Sequence, residues 1–256
     1  MTPAPRLDVR GLTKSFGRLQ VAANIDLTLA QGARTALIGP NGAGKTTFVN
    51  LVTGLVAPSA GTVMLDGGDV THLRQDKRVA AGLVRTFQVT RLFRDRSVSD
   101  NVRLAVLCRR QATGGMWTDA RADAESEAEV AGILAAMELS DRAQKTVQTL
   151  AYGEQRLIEI ALALALKPRV LLLDEPAAGV PKGESGIIMR AIANLPADLA
   201  VLFIEHDMDL VFRFAKDIVV LVQGAVFASG TAADISADER VREVYFGRSN
   251  HGRSAR

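Results

Sequence analysis

"TALIGPNGAGKTTFVNLVTGL", residues 35–55, is an apolar run, a glycine-rich loop and a helical run in immediate succession. The loop "GPNGAGKTT", residues 39–47, matches the pattern G-x-x-x-x-G-K-[ST] in the context that gives it meaning, after a strand and before a helix. Gly39, Gly42 and Gly44 let the backbone curl so that successive N–H groups converge on phosphate oxygens. Lys45 neutralises the β and γ phosphates, and the Thr46 hydroxyl is a hard oxygen ligand suited to Mg²⁺. A strand feeding such a loop and helix predicts an α/β fold with a mostly parallel sheet.

The same alternation can be traced outward in both directions. Residues 1–67 contain the short strand-like stretches "LDVRGL", "IDLTLA", "RTALIG" and "GTVMLDG", punctuated by Gly32 and Gly61, with the helix "GKTTFVNLVTGL" between them. From Ser97 to about Leu150 the pattern is helical: "SVSDNVRLAVLC" opens on a serine cap, and a segment from Thr118 to Leu139 follows the loop "TGGMW". Strand and helix then alternate, with a helix over 153–166, the strand "VLLLD", a helix over 184–195, "AVLFIE", a helix from Asp207 and the β-rich "DIVVLVQGAVFASG". "GRSNHGRSAR", residues 247–256, is expected to be a frayed basic tail.

Composition bounds the answer. The chain has 256 residues, 48% of them apolar, ample for a sizeable core without staples. One cysteine, Cys108, excludes a disulfide framework and fits a reducing compartment. "MTPAPRLDVRGLTKSF" lacks the apolar stretch of a signal peptide, so no export is expected. "IALALAL" and "VLLL" fall far short of the roughly 18 apolar residues of a membrane span, so any membrane connection goes through partners. A net charge of +3 is too mild to indicate nucleic-acid binding. Seven arginines between Arg85 and Arg110 against Asp95 and Asp100, and the acidic "DARADAESEAE" from Asp119, read as solvated helix faces; the arginine segment also suits docking near anionic head groups.

Three further stretches carry chemistry. "VLLLDEP" is a buried strand ending on Asp174 and Glu175. Paired acids there are either a plain strand end or a group that fixes a metal's water shell beside one that faces an attacking water. Gln88 in "RTFQVTRLF" and His206 in "LFIEHDM" each follow a short apolar strand; a glutamine so placed is by itself usually a surface residue and a histidine usually a structural one. "TLAYGEQR", residues 149–156, puts a glycine, an acid and a glutamine at the start of a strongly helical run, offering backbone N–H groups with no partner within the helix.

In this order the motifs resemble the nucleotide-binding subunit of an ABC transporter over essentially the whole chain. Phe16 matches the aromatic that stacks on adenine. Gly39, Asn41, Gly42, Ala43, Gly44, Lys45, Thr46 and Thr47 match the Walker A loop, and Val170–Glu175 match Walker B with its catalytic glutamate. Gln88 matches the Q-loop glutamine at the metal and the membrane-subunit contact, and His206 the switch histidine. Leu150, Ala151, Tyr152, Gly153 and Glu154 match the signature, which in this family caps ATP held by another subunit. "GLVRTFQVTRLFRDRSVSDNV", "DEPAAGV" and "IEHDMDLV" are similar to the ATPase of branched-chain amino acid importers.

The resemblance implies one ABC ATPase domain with an N-terminal antiparallel β subdomain. Its parts are a β subdomain and P-loop core over 1–96, a helical signature subdomain over 97–160, the rest of the catalytic core over 161–247, and the tail over 248–256. It implies ATP as substrate, and Mg²⁺ held by Thr46, Gln88 and, through water, Asp174. Glu175, His206 and Gln88 are the implied catalytic residues. The implied partners are a second ATPase subunit, different or identical, integral membrane permease subunits and a periplasmic solute-binding protein, with the chain peripheral at the cytoplasmic face of the plasma membrane and no nucleic acid bound. Alternatives are an importer of another small polar solute such as an amide or urea, a non-transport ABC protein acting on DNA or ribosomes, and a P-loop kinase. The chain departs from the family at Ala151, where serine is usual, at Tyr152, where glycine is commonest, and at Pro181, where an acid or amide is general. A hydroxyl donor to the capped phosphate is therefore missing, worth roughly 1.5–3 kcal/mol where the acceptor is charged.

Overall fold

The computed structural model describes residues 4–86, 92–112 and 120–246. In chain order the strands are β1 Leu7–Phe16, β2 Leu19–Leu29, β3 Arg34–Ile38, β4 Ala60–Leu65, β5 Gly68–Asp69, β6 Leu83–Arg85, β7 Val170–Asp174, β8 Ala200–Ile204, β9 Asp217–Val222 and β10 Ala225–Thr231. The helices are α1 Lys45–Val52, α2 Gln75–Ala80, α3 Val98–Ala112, α4 Ala120–Ala136, α5 Tyr152–Ala165, α6 Lys182–Ala193, α7 Met208–Phe214, α8 Ala232–Ala237 and α9 Glu239–Phe246.

Two sheets form. The smaller, in the order β2-β1-β4-β5, is antiparallel throughout. The larger has the order β10-β9-β3-β8-β7-β6; all its pairs are parallel except the β9–β10 hairpin. That hairpin turns on Gln223 and Gly224, both at positive φ (49° and 81°), the twist-matched two-residue turn. The stretch "RTALI" thus leaves its sequence neighbours and becomes a central strand of the other sheet.

Strands β3, β7 and β8 are buried at all five positions, as parallel strands covered on both faces must be. Their period of two divides two cores. Leu37, Leu172, Leu202 and Ile204 point toward the small sheet and the α1 residues Phe48, Leu51 and Val52. Ile38, Leu171, Leu173, Val201 and Phe203 point the other way, against Val102 of α3, Leu134 of α4, Ile158 of α5 and Ile188 of α6. One set of five-residue strands therefore holds the nucleotide-loop helix on one side and the helical layer on the other.

The expected helices over 153–166 and 184–195 are α5 and α6, each displaced N-terminally by one or two residues. Helices α2, α8 and α9 were not expected. Each has eight residues or fewer, and α8 is set by a local device, the reciprocal bonds between Thr231 and Asp234. Helix α2 carries Arg78, which is 1% exposed and donates to the carbonyls of Leu51, Val52, Thr71 and Leu73, closing the C-terminal end of α1. Burial without a facing carboxylate in hydrogen-bond contact lowers its pKa; four carbonyl acceptors keep the cation solvated by the chain itself. The tail expected over 247–256 and the "TGGMW" loop lie outside the described residues.

Candidate active site

The loop of residues 39–44 leaves the carboxyl end of β3 and enters α1 at Gly44, which is at φ 100°. A Cβ there would meet Val21 O at 2.9 Å, and one at Gly39 would meet Leu221 O at 2.2 Å, so neighbouring backbone admits only glycine at both. Asn41, Gly42 and Thr46 are exposed, Lys45 and Thr47 half-buried, and Ala43 packs into the core. The Lys45 ammonium donates to the loop carbonyls of Gly39 at 2.6 Å and Pro40 at 3.2 Å. Partial burial lowers its pKa, against the opposing pull of Glu175 and Asp174.

Those two acids lie at the same sheet edge. Asp174 closes β7, 9% exposed, and its Oδ2 accepts from Arg85 Nη2 at 2.5 Å. Glu175 stands in the left-handed region at φ 49°, a conformation that costs a non-glycine residue of order 1–3 kcal/mol and is held by its N–H bond to Ile204 O at 3.1 Å. This turn swings its side chain off the strand axis, so that Oε1 lies 3.4 Å from Nδ1 of His206 at the end of the neighbouring β8. Glu175 and His206, 31 apart in sequence number and in no shared motif, are brought together by strand pairing: Asp174 is in register with Ile204. Among the described residues the oxygen donors here, Thr46 and Asp174, suit a hard cation such as Mg²⁺ in chemistry, and no cluster of three or more His, Cys, Asp or Glu competes for a metal.

Phe16 is 56% exposed at the tip of the β1–β2 hairpin, with Lys14 Nζ 4.9 Å over its ring. The stretch 150–154 opens α5, with Leu150 buried and Ala151 and Tyr152 exposed. Ala151 is the N-cap, where its methyl offers no acceptor; Glu154 Oε2 accepts the Ala151 N–H at 3.0 Å and completes half of a capping box. Tyr152 packs beside Gly179, in the turn that follows Glu175, and that turn ends on the exposed Pro181 at the N-cap of α6. The strand β6 brings the chain to this edge, and Gln88 lies outside the described residues. Leu92 packs against the core and Phe93 is 60% exposed, its backbone held at both N–H and C=O by the Asn101 side chain. Phe93, Val84, Leu104, Cys108 and Leu162 line an apolar groove of about 310 Å³ between β6, α3 and α5.

Sequence reasoning passed over Arg85, which it saw only as part of a basic run, and Glu205. Glu205 ends an all-apolar strand as Asp174 does, and that shared signal could have marked it. It is 3% exposed and accepts the Ala177 N–H at 3.1 Å, tying the end of β8 to the turn after Glu175.

A family model described as ABC transporter matches residues 22–178, and one described as branched-chain amino acid ATP-binding cassette transporter matches residues 225–250. The chain belongs to the ABC transporter family. It is accordingly an ATP-binding protein and an ATPase. It is 39% identical over 250 residues to the high-affinity branched-chain amino acid transport ATP-binding protein BraF of Pseudomonas aeruginosa, an alignment covering 95% of this chain and 98% of the relative. To the corresponding protein LivG of Escherichia coli K12 it is 37% identical over 252 residues, with the same coverage. The crystal structure of the ADP conformation of MJ1267, an ATP-binding cassette of an ABC transporter, superposes with a TM-score of 0.83 at 27% identity, covering 95% of this chain and 99% of that one. Among the described residues no helix of this ABC ATPase is long and apolar enough to cross a membrane.

Burial pushes the Glu205 carboxyl above the usual carboxylate range; the Ala177 N–H and His206 oppose this, and Glu175 adds to it. A carboxyl whose pKa is higher folded than unfolded favours the folded state below its unfolded value, and that contribution is lost as pH rises through the folded value. Glu205→Gln keeps an acceptor for Ala177 and removes the ionisation. Its urea midpoint relative to wild type should therefore improve as pH rises above the usual carboxylate range. A difference that is flat with pH would show that Glu205 does not titrate differently on folding.

Proposed function

We propose that this chain is the ATP-hydrolysing subunit of an importer for branched-chain or related amino acids. The observation that carries the catalytic part is the convergence, at the carboxyl edge of one sheet, of the 39–47 loop, Asp174 and the Glu175–His206 pair. The solute assignment is supported by the likeness to BraF and LivG over 95% of the chain and by the match over residues 225–250. The competing solute class is another small polar molecule such as an amide or urea. In this reading the chain is a single ABC ATPase domain, with the subdomains 1–96, 97–160 and 161–247, acting at the cytoplasmic face of the plasma membrane.

Phe16 stacks on adenine, and the backbone N–H groups of 39–47 with Lys45 bind the phosphates. Once a phosphate competes for it, the Lys45 ammonium exchanges its loop carbonyls for a charged acceptor, a stronger bond. Thr46, Gln88 and, through water, Asp174 would hold Mg²⁺, which when bound supplies Lewis-acid polarisation of the phosphate oxygens. Glu175 orients the attacking water and accepts its proton, and His206 holds Glu175 and the γ-phosphate side together. Residues 150–154 of one subunit cap the ATP of another in a head-to-tail dimer, either with a second, different ATPase or with a copy of this chain. The groove bordered by Phe93 receives a helix of the permease, and a periplasmic binding protein delivers the solute from the far side. An apolar trough lined mostly by Val84, Phe93, Leu104, Ala105 and Leu162 suits such docking.

Glu175→Gln should retain ATP binding while phosphate release falls at least about a hundredfold, the usual loss for a positioned base. Filter binding and phosphate release together measure this, and wild-type turnover would remove the role. With permease subunits in vesicles, hydrolysis should accelerate when the binding protein is loaded with leucine, isoleucine or valine. Acceleration by urea and not by these three would transfer the chain to the competing class. A photo-cross-linker introduced at Phe93 should label a permease subunit in that assembly; labelling confined to the other ATPase would overturn the docking assignment.

A further inference from the structure

Arg85 ends β6 in register with Leu172, so its side chain reaches forward to the residue that closes β7. One guanidinium nitrogen donates to Asp174 Oδ2 at 2.5 Å and the other to Asn50 Oδ1 at 2.7 Å. The Arg85 and Asp174 side chains are only 10% and 7% exposed, so the pair is shielded from solvent. Asn50 lies four residues beyond Thr46 on α1, one helical turn along the same face. A single side chain thus bolts the helix of the phosphate loop to the carboxylate at the end of the neighbouring strand. Its Nε is buried with no partner among the described residues, so the guanidinium accepts a desolvation cost to keep this two-armed geometry. A lysine could carry the charge but not the fork.

We propose that Arg85 is a positioning residue for the metal site: it fixes the Asp174 carboxylate relative to α1, so that the carboxylate is aimed at the metal's water before nucleotide arrives. This rests on the reading of Asp174 as the metal-side carboxylate given above. A buried carboxylate bonded at one oxygen to a fixed cation keeps its other oxygen directed. Without the fork it is free to rotate, and the hydrogen-bonded path between Thr46's helix and Asp174 is cut. Partners of this kind, one bond removed from a metal, typically change metal affinity by roughly 10–100-fold when removed.

The test titrates Mn²⁺ into the full chain bound to the imido analogue of ATP, which is not hydrolysed, and reads free metal by electron paramagnetic resonance. Arg85→Met should raise the Mn²⁺ dissociation constant at least about tenfold, while analogue affinity in chelator stays within about twofold of wild type. Arg85→Lys, with one arm and the charge, should fall between, and Asn50→Ala should show a smaller rise. Unchanged Mn²⁺ affinity in Arg85→Met overturns the proposal. So does tighter binding, which would make Arg85 a competitor of the metal, and so does an equal loss of metal-free nucleotide affinity, which would make it a fold residue. If Arg85→Met does not fold, wild-type Mn²⁺ affinity in both Arg85→Lys and Asn50→Ala overturns it instead. A wild-type chain that binds neither analogue nor Mn²⁺ would remove the nucleotide reading and this role together, whereas normal wild-type binding with indifferent variants removes the role of Arg85 alone.

Discussion

Strands β3, β7 and β8 have no polar face, and every other feature is arranged around that constraint. A parallel strand buried on both sides admits a charge only at its ends. Since the strands run in one direction, those ends are shared. The phosphate loop, Asp174, Glu175, Glu205 and His206 all lie at or just past the carboxyl ends of three adjacent strands. A one-residue slip of β7 against β8 would turn Leu171 and Leu173 from the helical core to the other and carry the acids out of reach of His206. Register, set by apolar packing on two sides, is therefore what sets catalytic distance.

The edge concentrates negative charge, and each carboxylate there has its own answer. Asp174 has the Arg85 cation. Glu205 has a backbone N–H and a raised pKa, so burial is met partly by making ionisation harder. Glu175, the least buried, sits at a positive φ that the β7–β8 ladder imposes through its N–H bond to Ile204. The strain is stored where the side chain must leave the strand direction, and the packed strands beneath hold it there. Lys45 feels Glu175 and Asp174 from the phosphate loop.

Much of this could be read from the sequence because it depends on local pattern. Apolar runs ending in "GPNGAGKTT", "DEP" and "EHD" mark strand ends, and the glycine spacing marks the loop. Which strands neighbour one another is not local. Nothing in residues 34–38 says that they join 200–204 and 217–222 in preference to the strands on either side in sequence. For the same reason Arg85 looked like one of seven surface arginines. Its partners, Asn50 and Asp174, are 35 and 89 residues away, and only the sheet brings them together. The short helices α2, α8 and α9 escaped because six to eight residues are too few to show a period above chance.

The start of α5 shows how a departure from family habit can be carried by neighbours. Ala151 gives the helix no capping oxygen, yet its own N–H is taken by Glu154, whose carboxylate is also bonded to Arg142 at 2.7 Å. Burial works against that carboxylate, but the Arg142 and Ala151 bonds prevail and hold its pKa below the usual range. A fixed negative charge thus sits in the first turn, where the helix dipole favours it. Tyr152 fills its place with a ring that lies between the Arg156 guanidinium, 5.2 Å from its centroid, and Gly179, where a Cβ would come within 3.3 Å of the ring. The helix start is therefore braced against the turn that follows Glu175 within the same chain.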